Sequence, residues 1–564
     1  MLIGIDVGGT YTDGVLFDNL QSRVVKVVKV PTRSEQLQSS LMEVLDRLLT
    51  DQDIEGIQRI VLSTTLVTNL LATNAAEPPA LILIPGPGLP FEYQMTFPHS
   101  YILNGSMDFR GRETEKLNRS EIEAVIETIR ASGLKKIAVV GKFSNRNPQH
   151  EQTVRDIIRE KYPAAEVGIG SELAGQLNFI RRIATSYYSL MTRKRWSSFA
   201  HDIERAMQER GLDKVPLDIL KADGGTMPVQ HALQYPCETI LSGPAASTMG
   251  AKAITGQNAN AVVLDIGGTT TDISLLLDGQ PLYASRGACI NGHYTHIKAI
   301  STRSLPLGGD SPVCFDPQKG IYIEKVRKGP AACFGGESAT VTDVFNCKYE
   351  LNIGDADQSR QTLQRLQVDS GVALPELLDL VEDNVMQQLM DALKNIFTEW
   401  ENEPAYRVWE VVHDRKFKVK RIIGIGAAAS AIVPVLAAMY KVNSFIHELS
   451  PIANALGAAL ARPTLAFNMH IDTQKGTYST DYDGICASIA KGNSLQMVDA
   501  HKLAREVMQK LAEQRGLAEY ADEAEFIREE QFNMIRDWDR IGKIFELGMQ
   551  IKPGFIKEFE EGSI

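Results

Sequence analysis

Asp265-Ile266-Gly267-Gly268-Thr269-Thr270-Thr271-Asp272 has a near copy at the start of the chain, Asp6-Val7-Gly8-Gly9-Thr10-Tyr11-Thr12-Asp13. The two segments differ only at their second and sixth positions. Each segment follows a short apolar run and precedes another, which is the pattern of a strand, a glycine turn and a second strand. The sequence therefore predicts two hairpins of the same kind, far apart in the chain.

The residue types in these turns suit a polyphosphate and a divalent cation. Paired glycines let backbone N–H groups approach an anion closely, and threonine hydroxyls add further donors. A carboxylate at a strand end can hold a cation through water. The candidate catalytic residues are Asp6, Asp13, Asp265 and Asp272, of which Asp6 and Asp265 would orient the metal ion. The candidate phosphate-binding residues are Gly8, Gly9, Thr10, Gly267, Gly268 and Thr269.

A single copy of this segment would be interpreted as an ordinary Asp-Gly-type hairpin turn. Repetition favours a different interpretation, because the copies lie too far apart for a short solenoid period. The spacing indicates instead a duplicated domain with a cleft between its halves. Two such turns facing one cleft could clamp a single polyphosphate.

Length and composition indicate a globular chain of 564 residues, of which 44% are hydrophobic and 23% charged. The net charge of −11 argues against nonspecific binding to nucleic acid or to an anionic membrane, so local groups have to hold a phosphate ligand.

The six cysteines form no CxxC pair and the N-terminus carries no basic leader, so the cytoplasm is the expected compartment. Residues 422–440 are uncharged, but their glycines and proline favour a strand, a turn and a buried helix over a membrane span.

Seven further segments carry a resemblance to a known family. They are residues 63–69, 147–151, 219–226, 239–247, 329–336, 340–343 and 454–459. Together with the two hairpins they resemble the hydantoinase A/oxoprolinase family of the actin-like ATPase superfamily, over about residues 1–462. Two departures stand out: Ser63 occupies the position of a family histidine, and Gly308-Gly309-Asp310 replaces a longer run of glycines.

The resemblance implies a two-lobed actin-like (ribonuclease H-like) α/β ATPase fold with a C-terminal α+β addition. We predict a first lobe over residues 1–190, a second lobe over 191–462 and a helix-rich module over 463–564. The resemblance further implies that Gly308 and Gly309 contact phosphate and that Gly424 and Gly426 border the adenosine. For the last pair, a plain strand–helix packing turn is the alternative.

The same resemblance implies ATP and Mg²⁺ as cofactors of a hydrolase- or ligase-type enzyme. Phosphorylation would activate the oxygen of a cyclic amide, such as hydantoin, 5-oxoproline or a related lactam, or of another carbonyl compound. A hydantoinase-B-type second subunit is a candidate partner, whereas nucleic acid and membrane are not expected. The alternative function is an ATP-driven conformational switch that reactivates a partner protein. Because Ser63 and Asp310 depart from the family, we expect a rebuilt acceptor pocket for which hydantoin and 5-oxoproline are poor substrates.

Two more groups of residues have open roles. Cys289, His293 and His296 have a spacing that could ligate zinc, but no fourth ligand is visible, so we expect no stoichiometric zinc. Arg110 lies in the charged segment 110–113. Either this segment is a solvated loop, or Arg110 directs its guanidinium into the cleft.

Overall fold

A computed structural model describes the chain except at residues 34–36, 51, 53, 73–75, 89–94, 257–258, 403–415, 483, 537–538 and 560–564. Two large mixed sheets, each containing one of the repeated hairpins, form the centre of the molecule. Among the residues described, none of the helices combines the length and the apolar character that a bilayer crossing requires.

The first sheet is built around the first hairpin. Its strands lie in the order Thr226–Pro228, Leu217–Leu220, Arg59–Thr64, Leu2–Val7, Tyr11–Asp18 and Arg23–Pro31. Leu2–Val7 runs antiparallel to Tyr11–Asp18 and parallel to Arg59–Thr64, which in turn lies parallel to Leu217–Leu220. All six residues of Leu2–Val7 are buried, as expected for a central strand that is covered on both faces.

The second sheet repeats this arrangement around the second hairpin. Its strands lie in the order Gln280–Pro281, Thr271–Leu277, Ala261–Ile266, Arg421–Ile425 and Asn443–Phe445, and Thr302–Leu305 also pairs with Thr271–Leu277. Ala261–Ile266 is antiparallel to its hairpin partner and parallel to Arg421–Ile425, as in the first sheet. The predicted pair of equivalent hairpins is therefore confirmed.

Two small-residue helices connect the sheets. Ser242–Thr255 and Ala453–Leu460 pack against each other, and their apolar residues share one core cluster with strands of both sheets. A Cβ added to Gly250 would stand 2.0 Å from the carbonyl oxygen of Ala453, and one on Gly4 would stand 2.0 Å from that of Ala455. Because no larger side chain fits, these glycines let the backbones of the two lobes approach closely.

The remaining elements flank this centre. A parallel sheet contains the strands Glu166–Ile169, Lys136–Gly141, Ala80–Ile84 and Ser100–Ile102. Two-stranded pairs are Ser106–Met107 with Glu113–Glu115, Cys289–Ile290 with His293–Tyr294, and Val313–Asp316 with Gly320–Ile323. The other helices are Leu37–Leu49, Leu66–Ala72, Arg119–Ala131, Gln149–Lys161, Gly170–Leu173, Phe179–Gln208, Val229–Ala232, Val341–Tyr349, Ala356–Ser370, Leu374–Glu401 and Ala429–Tyr440. Short 3-10 turns occupy Ile54–Gly56, Pro236–Thr239, Ala332–Phe334, Ser450–Ile452, Gly492–Ser494 and Ala518–Glu523.

The C-terminal addition is α+β, as predicted, but it is not rich in helix. Its strands lie in the order Cys486–Ser488, Thr477–Thr480, Leu465–Asp472, Asp539–Ile551 and Glu525–Arg536, and one long helix, Met497–Gln514, packs on this sheet. The expectation of a helix-rich end is therefore wrong. The outer strand Glu525–Arg536 is crowded with charged residues, which hides the alternation that marks a strand.

The predicted division at residue 190 falls inside the long helix Phe179–Gln208. The first sheet also takes Leu217–Leu220 and Thr226–Pro228 from beyond that residue. The second boundary, near residue 463, coincides with the start of the C-terminal sheet at Leu465. The three domain ranges stay a prediction, and the first sheet extends past the first of their boundaries.

Candidate functional site

The turns of the two hairpins face each other across a cavity of about 410 Å³. Twelve of the predicted site residues line this cavity. They are Asp6, Gly8, Gly9, Thr10, Asp13, Asp265, Gly267, Gly268, Thr269, Asp272, Gly309 and Gly426. Residues from opposite ends of the chain therefore form one cleft.

The two turns have matching hydrogen bonds. The Gly8 N–H donates to the Tyr11 carbonyl at 3.1 Å, and the Gly267 N–H donates to the Thr270 carbonyl at 3.0 Å. The N–H groups of the next two residues in each turn, Gly9 with Thr10 and Gly268 with Thr269, donate to no atom of the described chain. Unpaired backbone donors on a concave surface form an anion-binding site.

One side-chain amide joins the aspartates of the two hairpins. Asn454 Nδ2 donates to Asp6 Oδ2 at 3.3 Å and to Asp265 Oδ2 at 3.1 Å. Asp265 Oδ2 also accepts a hydrogen bond of 2.5 Å from the hydroxyl of Ser247, on the helix Ser242–Thr255. The two carboxylates predicted to orient a metal ion thus lie within reach of a common donor.

Burial raises the pKa of Asp6, Asp13 and Asp272 above the ordinary value of an aspartate. Burial, with repulsion from Asp13, raises the pKa of Asp6 to about 7. Burial also raises the pKa of Asp272 to about 7, and the neighbouring charge of Asp265 adds to the shift. The pKa of Asp13 is raised by burial as well, although Lys29 opposes that shift. A cation bound in the cleft would favour the ionised carboxylates.

Lys29 is a site residue that the sequence did not single out. Its Nζ forms an ion pair with Asp13 Oδ1 at 2.8 Å and donates to the carbonyl of Pro451 at 3.2 Å. It is the only cationic side chain among the described residues that line the cavity. In the second sheet the register partner of Asp272 is Ser304, where the first sheet pairs Asp13 with Lys29. The two hairpin-containing sheets therefore differ in charge at this position.

The loop of Gly308, Gly309 and Asp310 is fixed to the second turn. The N–H groups of Gly309 and Asp310 donate to the carbonyls of Gly267 and Gly268 at 2.9 and 2.8 Å. A Cβ on Gly308 would stand 2.5 Å from the Gly268 carbonyl oxygen, so this glycine supports the turn and does not itself line the cavity. The Asp310 carboxylate lines the cavity and accepts a 2.9 Å hydrogen bond from Arg327.

Gly424 and Gly426 have different roles. Gly426 lines the cavity with Ala427 and Ala428 and has a φ of +83°, and a Cβ there would stand 2.6 Å from Asp265 Oδ1. Gly424 lies inside the strand Arg421–Ile425 and does not line the cavity. A Cβ added to Gly424 would point at the side chains of Val433 and Ala429, so this position faces the protein interior. The alternative interpretation, a packing turn between strand and helix, therefore describes Gly424. Of these two glycines, only Gly426 lies where it can contact a ligand.

Two other sequence features contribute to the wall of the cleft. The helix Ser242–Thr255 begins directly after Leu241, whose φ of +56° makes a tight turn, and Gly243 and Pro244 line the cavity. Ser63 is the register partner of Asp6 in the adjacent strand. Its hydroxyl and Asp6 Oδ1 are both buried without a hydrogen-bond partner among the described residues.

Arg110 lies away from the cleft. Its guanidinium pairs with Asp472 at 3.3 Å, in the C-terminal sheet, so neither of the two predicted roles describes it.

His293 and His296 are occupied by other contacts, whereas Cys289 is a free, exposed cysteine. The ring of His293 stacks on Phe97 at 4.3 Å, and its Nδ1 lies 3.1 Å from the hydroxyl of Tyr188. Nε2 of His296 lies 3.0 Å from the carbonyl of Asn178, and burial lowers the pKa of His296 to about 4. The described part of the chain contains no group of three or more histidine, cysteine or acidic residues arranged for a metal ion. Absence of zinc stays a prediction.

The cleft suits a hydrated divalent cation. Mg²⁺ is usually bound through one or two carboxylates, with several waters retained and phosphate oxygens of the substrate as further ligands. Asp6 and Asp265 supply two carboxylates near each other, and Asp6 Oδ1 is a buried acceptor without a partner among the described residues. These residues therefore fit the ion that the fold implies.

Two equivalent sheets with facing glycine turns define the two-lobed, actin-like class of ATPase fold. The chain belongs to the hydantoinase/oxoprolinase family, whose N-terminal region matches residues 2–162 and whose main region matches residues 182–466. The fold also resembles a solved structure of acetone carboxylase without nucleotide, with a TM-score of 0.71 and 16% identity over 99% of this chain and 88% of that one.

The names of two relatives indicate compounds on which members of the family act. The caprolactamase subunit alpha of Pseudomonas jessenii is 24% identical over 60% of this chain and 53% of its own length. The 5-oxoprolinase of Saccharomyces cerevisiae is 24% identical over 64% of this chain and 29% of its own length. The chain thus spans about half, or less, of the length of these relatives.

Proposed function

We propose that this protein uses ATP to activate the oxygen of a cyclic amide, or of another carbonyl compound, by phosphorylation. The observation that carries the proposal is the cavity between the two hairpins, with unpaired N–H groups in both turns and Asp6 and Asp265 beside Asn454. The relatives support the choice of acceptor, because their names describe enzymes acting on lactams.

Each part of the cleft has a role in this proposal. The N–H groups of Gly9, Thr10, Gly268 and Thr269 bind phosphate oxygens, and Lys29 adds a positive charge beside them. Gly426, Ala427 and Ala428 offer a wall without bulky side chains, on which the nucleoside lies. Asp6 and Asp265 hold Mg²⁺, which when bound neutralises charge on the phosphates.

The reaction is a phosphoryl transfer followed by addition. The acceptor's amide oxygen attacks the γ-phosphorus, the bond from that phosphorus to the β,γ-bridging oxygen breaks, and ADP departs with the electron pair. The new oxygen–phosphorus bond turns the amide oxygen into a good leaving group. Water then adds to the amide carbon, and the tetrahedral intermediate expels the ring nitrogen, which leaves with the electron pair of the C–N bond and takes up a proton. A second water hydrolyses the resulting acyl phosphate, so phosphate departs with the original amide oxygen and the open chain is left as an amino acid. The cleft contributes position and charge, which are the main sources of catalysis in phosphoryl transfer.

We further propose a cytoplasmic protein that works with a hydantoinase-B-type second subunit. One relative is itself named as a subunit, and this chain spans about half of that relative's length. Ring opening could therefore require groups that a partner chain supplies.

The proposal is tested by measuring ADP release with a panel of lactams, hydantoins and ketones, with and without a candidate second subunit. We expect at least one compound to raise ADP release and to be converted in a fixed ratio to the ATP consumed. If no small molecule does so, and a co-purified protein accelerates hydrolysis or is released by it, the conformational-switch function replaces the enzyme.

A further inference from the structure

A second cavity, of about 490 Å³, lies apart from the nucleotide cleft. Its walls come from the segment before the helix Phe179–Gln208, from that helix, from residues between 221 and 238, from residues between 283 and 298, and from the C-terminal sheet. The charged and titratable groups that matter most are Arg181, Lys221, Asp223, His296, Lys298 and Asp481. The C-terminal addition thus closes a polar cavity that the two lobes alone leave open.

This cavity lies at the same sheet edge as the nucleotide cleft. The strands Leu2–Val7, Arg59–Thr64 and Leu217–Leu220 are adjacent and parallel, so their carboxyl ends share one edge. Gly8 and Thr65, which follow the first and second of these strands, line the nucleotide cleft, whereas Lys221, which follows the third, lines the second cavity. Two strand spacings amount to roughly 10 Å. Ligands of α/β sheets bind at this edge.

The carboxylates of the second cavity are already occupied by protein donors. Asp223 accepts hydrogen bonds from the Gly225 N–H at 2.9 Å and from the Thr464 hydroxyl at 3.2 Å. Lys221 lies 3.4 Å from both Asp223 and Glu238. Asp481 accepts two hydrogen bonds of 2.6 Å from the backbone and the side chain of Asn468. These carboxylates already accept hydrogen bonds or ion pairs from the protein, so they have little capacity to bind a further cation.

Two cations of the cavity form no direct ion pair with the described residues, although the charges of Asp223 and Asp481 attract Lys298. The Arg181 guanidinium has no hydrogen bond or ion pair with any described residue, and Lys298 Nζ donates to the neutral Gln550 Oε1 at 2.6 Å. Arg181 also lines a smaller cavity of about 250 Å³, which shares His296, Asn468 and Asp481 with the larger one. A half-buried guanidinium that lines a cavity, with five donors in a fixed fork, is suited to bind a carboxylate.

We propose that the second cavity is the acceptor site and that its ligand is a small cyclic amide or carbonyl compound carrying a carboxylate. Arg181 and Lys298 bind that carboxylate, and the polar wall of Lys221, Asp223 and Asp481 borders the rest of the molecule. The inference rests on the proposed function for naming this ligand the acceptor. The binding site itself needs no nucleotide.

The test uses two lactams that differ by one group, 6-oxopiperidine-2-carboxylate and 2-piperidone. Binding to the full chain is measured by titration calorimetry without nucleotide. We expect the carboxylate to bind at least roughly tenfold more tightly than the uncharged lactam. Arg181→Ala should remove most of that preference and leave the weak binding of 2-piperidone within about twofold.

Three further variants separate binding from folding. Arg195→Ala removes an exposed arginine from the same helix and should leave the preference unchanged. Arg181→Lys keeps the charge and should keep part of the preference, and Lys298→Gln should reduce it in a protein with an unaltered melting temperature. Equal binding of the two lactams by the wild-type chain would overturn the inference. So would an unchanged preference in folded Arg181→Ala or Lys298→Gln protein.

The two proposals fail differently. If ATP hydrolysis is absent but the carboxylate preference depends on Arg181, the proposed function fails and the second site stands. If hydrolysis is stimulated by lactams that bind regardless of Arg181, the proposed function stands and the second site fails.

Discussion

Asp6 and Asp265 accept hydrogen bonds from one and the same side-chain amide, that of Asn454, at 3.3 and 3.1 Å. Each aspartate is the last residue but one in the first strand of its own hairpin, and Asn454 lies on the helix that packs between the lobes. The distance between these two carboxylates therefore depends on how the lobes are held together. A change in lobe closure would alter both carboxylates at once, so we expect the proposed nucleotide binding to be coupled to the arrangement of the lobes.

Replacing Lys29 tests the asymmetry of the two halves. Lys29→Gln removes the cation that pairs with Asp13, and we expect ATP affinity to fall by roughly three- to tenfold, since a partly buried ion pair and the proposed phosphate contact are lost together. The matched control is Lys26→Gln on the same strand, because Lys26 Nζ donates to the Thr50 carbonyl at 3.1 Å outside the cleft. Equal losses in the two variants would exclude a specific role for Lys29. The measurement is calorimetric titration with a non-hydrolysable ATP analogue.

A methyl group at Gly426 should disturb the second aspartate. The φ of +83° alone makes alanine unfavourable by about 1–2 kcal/mol, and the added Cβ would also press on Asp265 Oδ1 at 2.6 Å. We expect Gly426→Ala to lower both the melting temperature and the affinity for ATP. Gly476→Ala is the control, since Gly476 has a φ of +68° in open space. The control should lose stability but keep nucleotide affinity, and a normal affinity in Gly426→Ala would contradict the placement of the ligand beside Asp265.

Asp272 gives the nucleotide-free protein a predictable dependence on pH. Its pKa is about 7 in the folded chain against an ordinary value of 3.8, so between these values the folded state binds more protons than the unfolded state. The free energy of unfolding contributed by this group therefore falls as pH rises from about 4 to about 7. Asp272→Asn removes the cost of ionising this buried carboxyl group, and it should raise the melting temperature more at pH 8 than at pH 5.

The control for this pH prediction is Asp213→Asn, which changes an exposed aspartate. It should shift the melting temperature by a similar, small amount at both pH values. Thermal unfolding without Mg²⁺ and nucleotide provides the measurement. A gain for Asp272→Asn that is equal at pH 5 and pH 8 would show that the Asp272 carboxyl is not the cause.

The hairpins could be predicted because their information is local. Glycine, threonine and aspartate occur in a fixed order between apolar runs, and the order occurs twice. Lys29 and Asn454 could not be assigned from sequence, because their role depends on contacts between segments that are distant in the chain. The position of Lys29 on a β-rich strand gave a weak signal, since the strand pairs with the one that carries Asp13.

Two expectations failed for identifiable physical reasons. Gly424 was grouped with Gly426 because both follow an apolar run, but only Gly426 lies past the strand end, where the backbone turns to φ +83°. The strand Glu525–Arg536 was missed because its charged side chains face solvent at the sheet edge and break the apolar alternation. Alternation reports burial on one face, and an outer strand with little burial gives no such signal.

ATP hydrolysis by Asp6→Asn and Asp265→Asn tests the central claim most directly, namely that one Mg·ATP binds between the two hairpins. Asparagine keeps the shape of each side chain but removes the charge that holds the cation. We expect each single substitution to lower the rate of hydrolysis at least roughly tenfold, about 1.4 kcal/mol of transition-state stabilisation, with a nearly unchanged melting temperature. Normal turnover in either variant would contradict a site shared by both lobes.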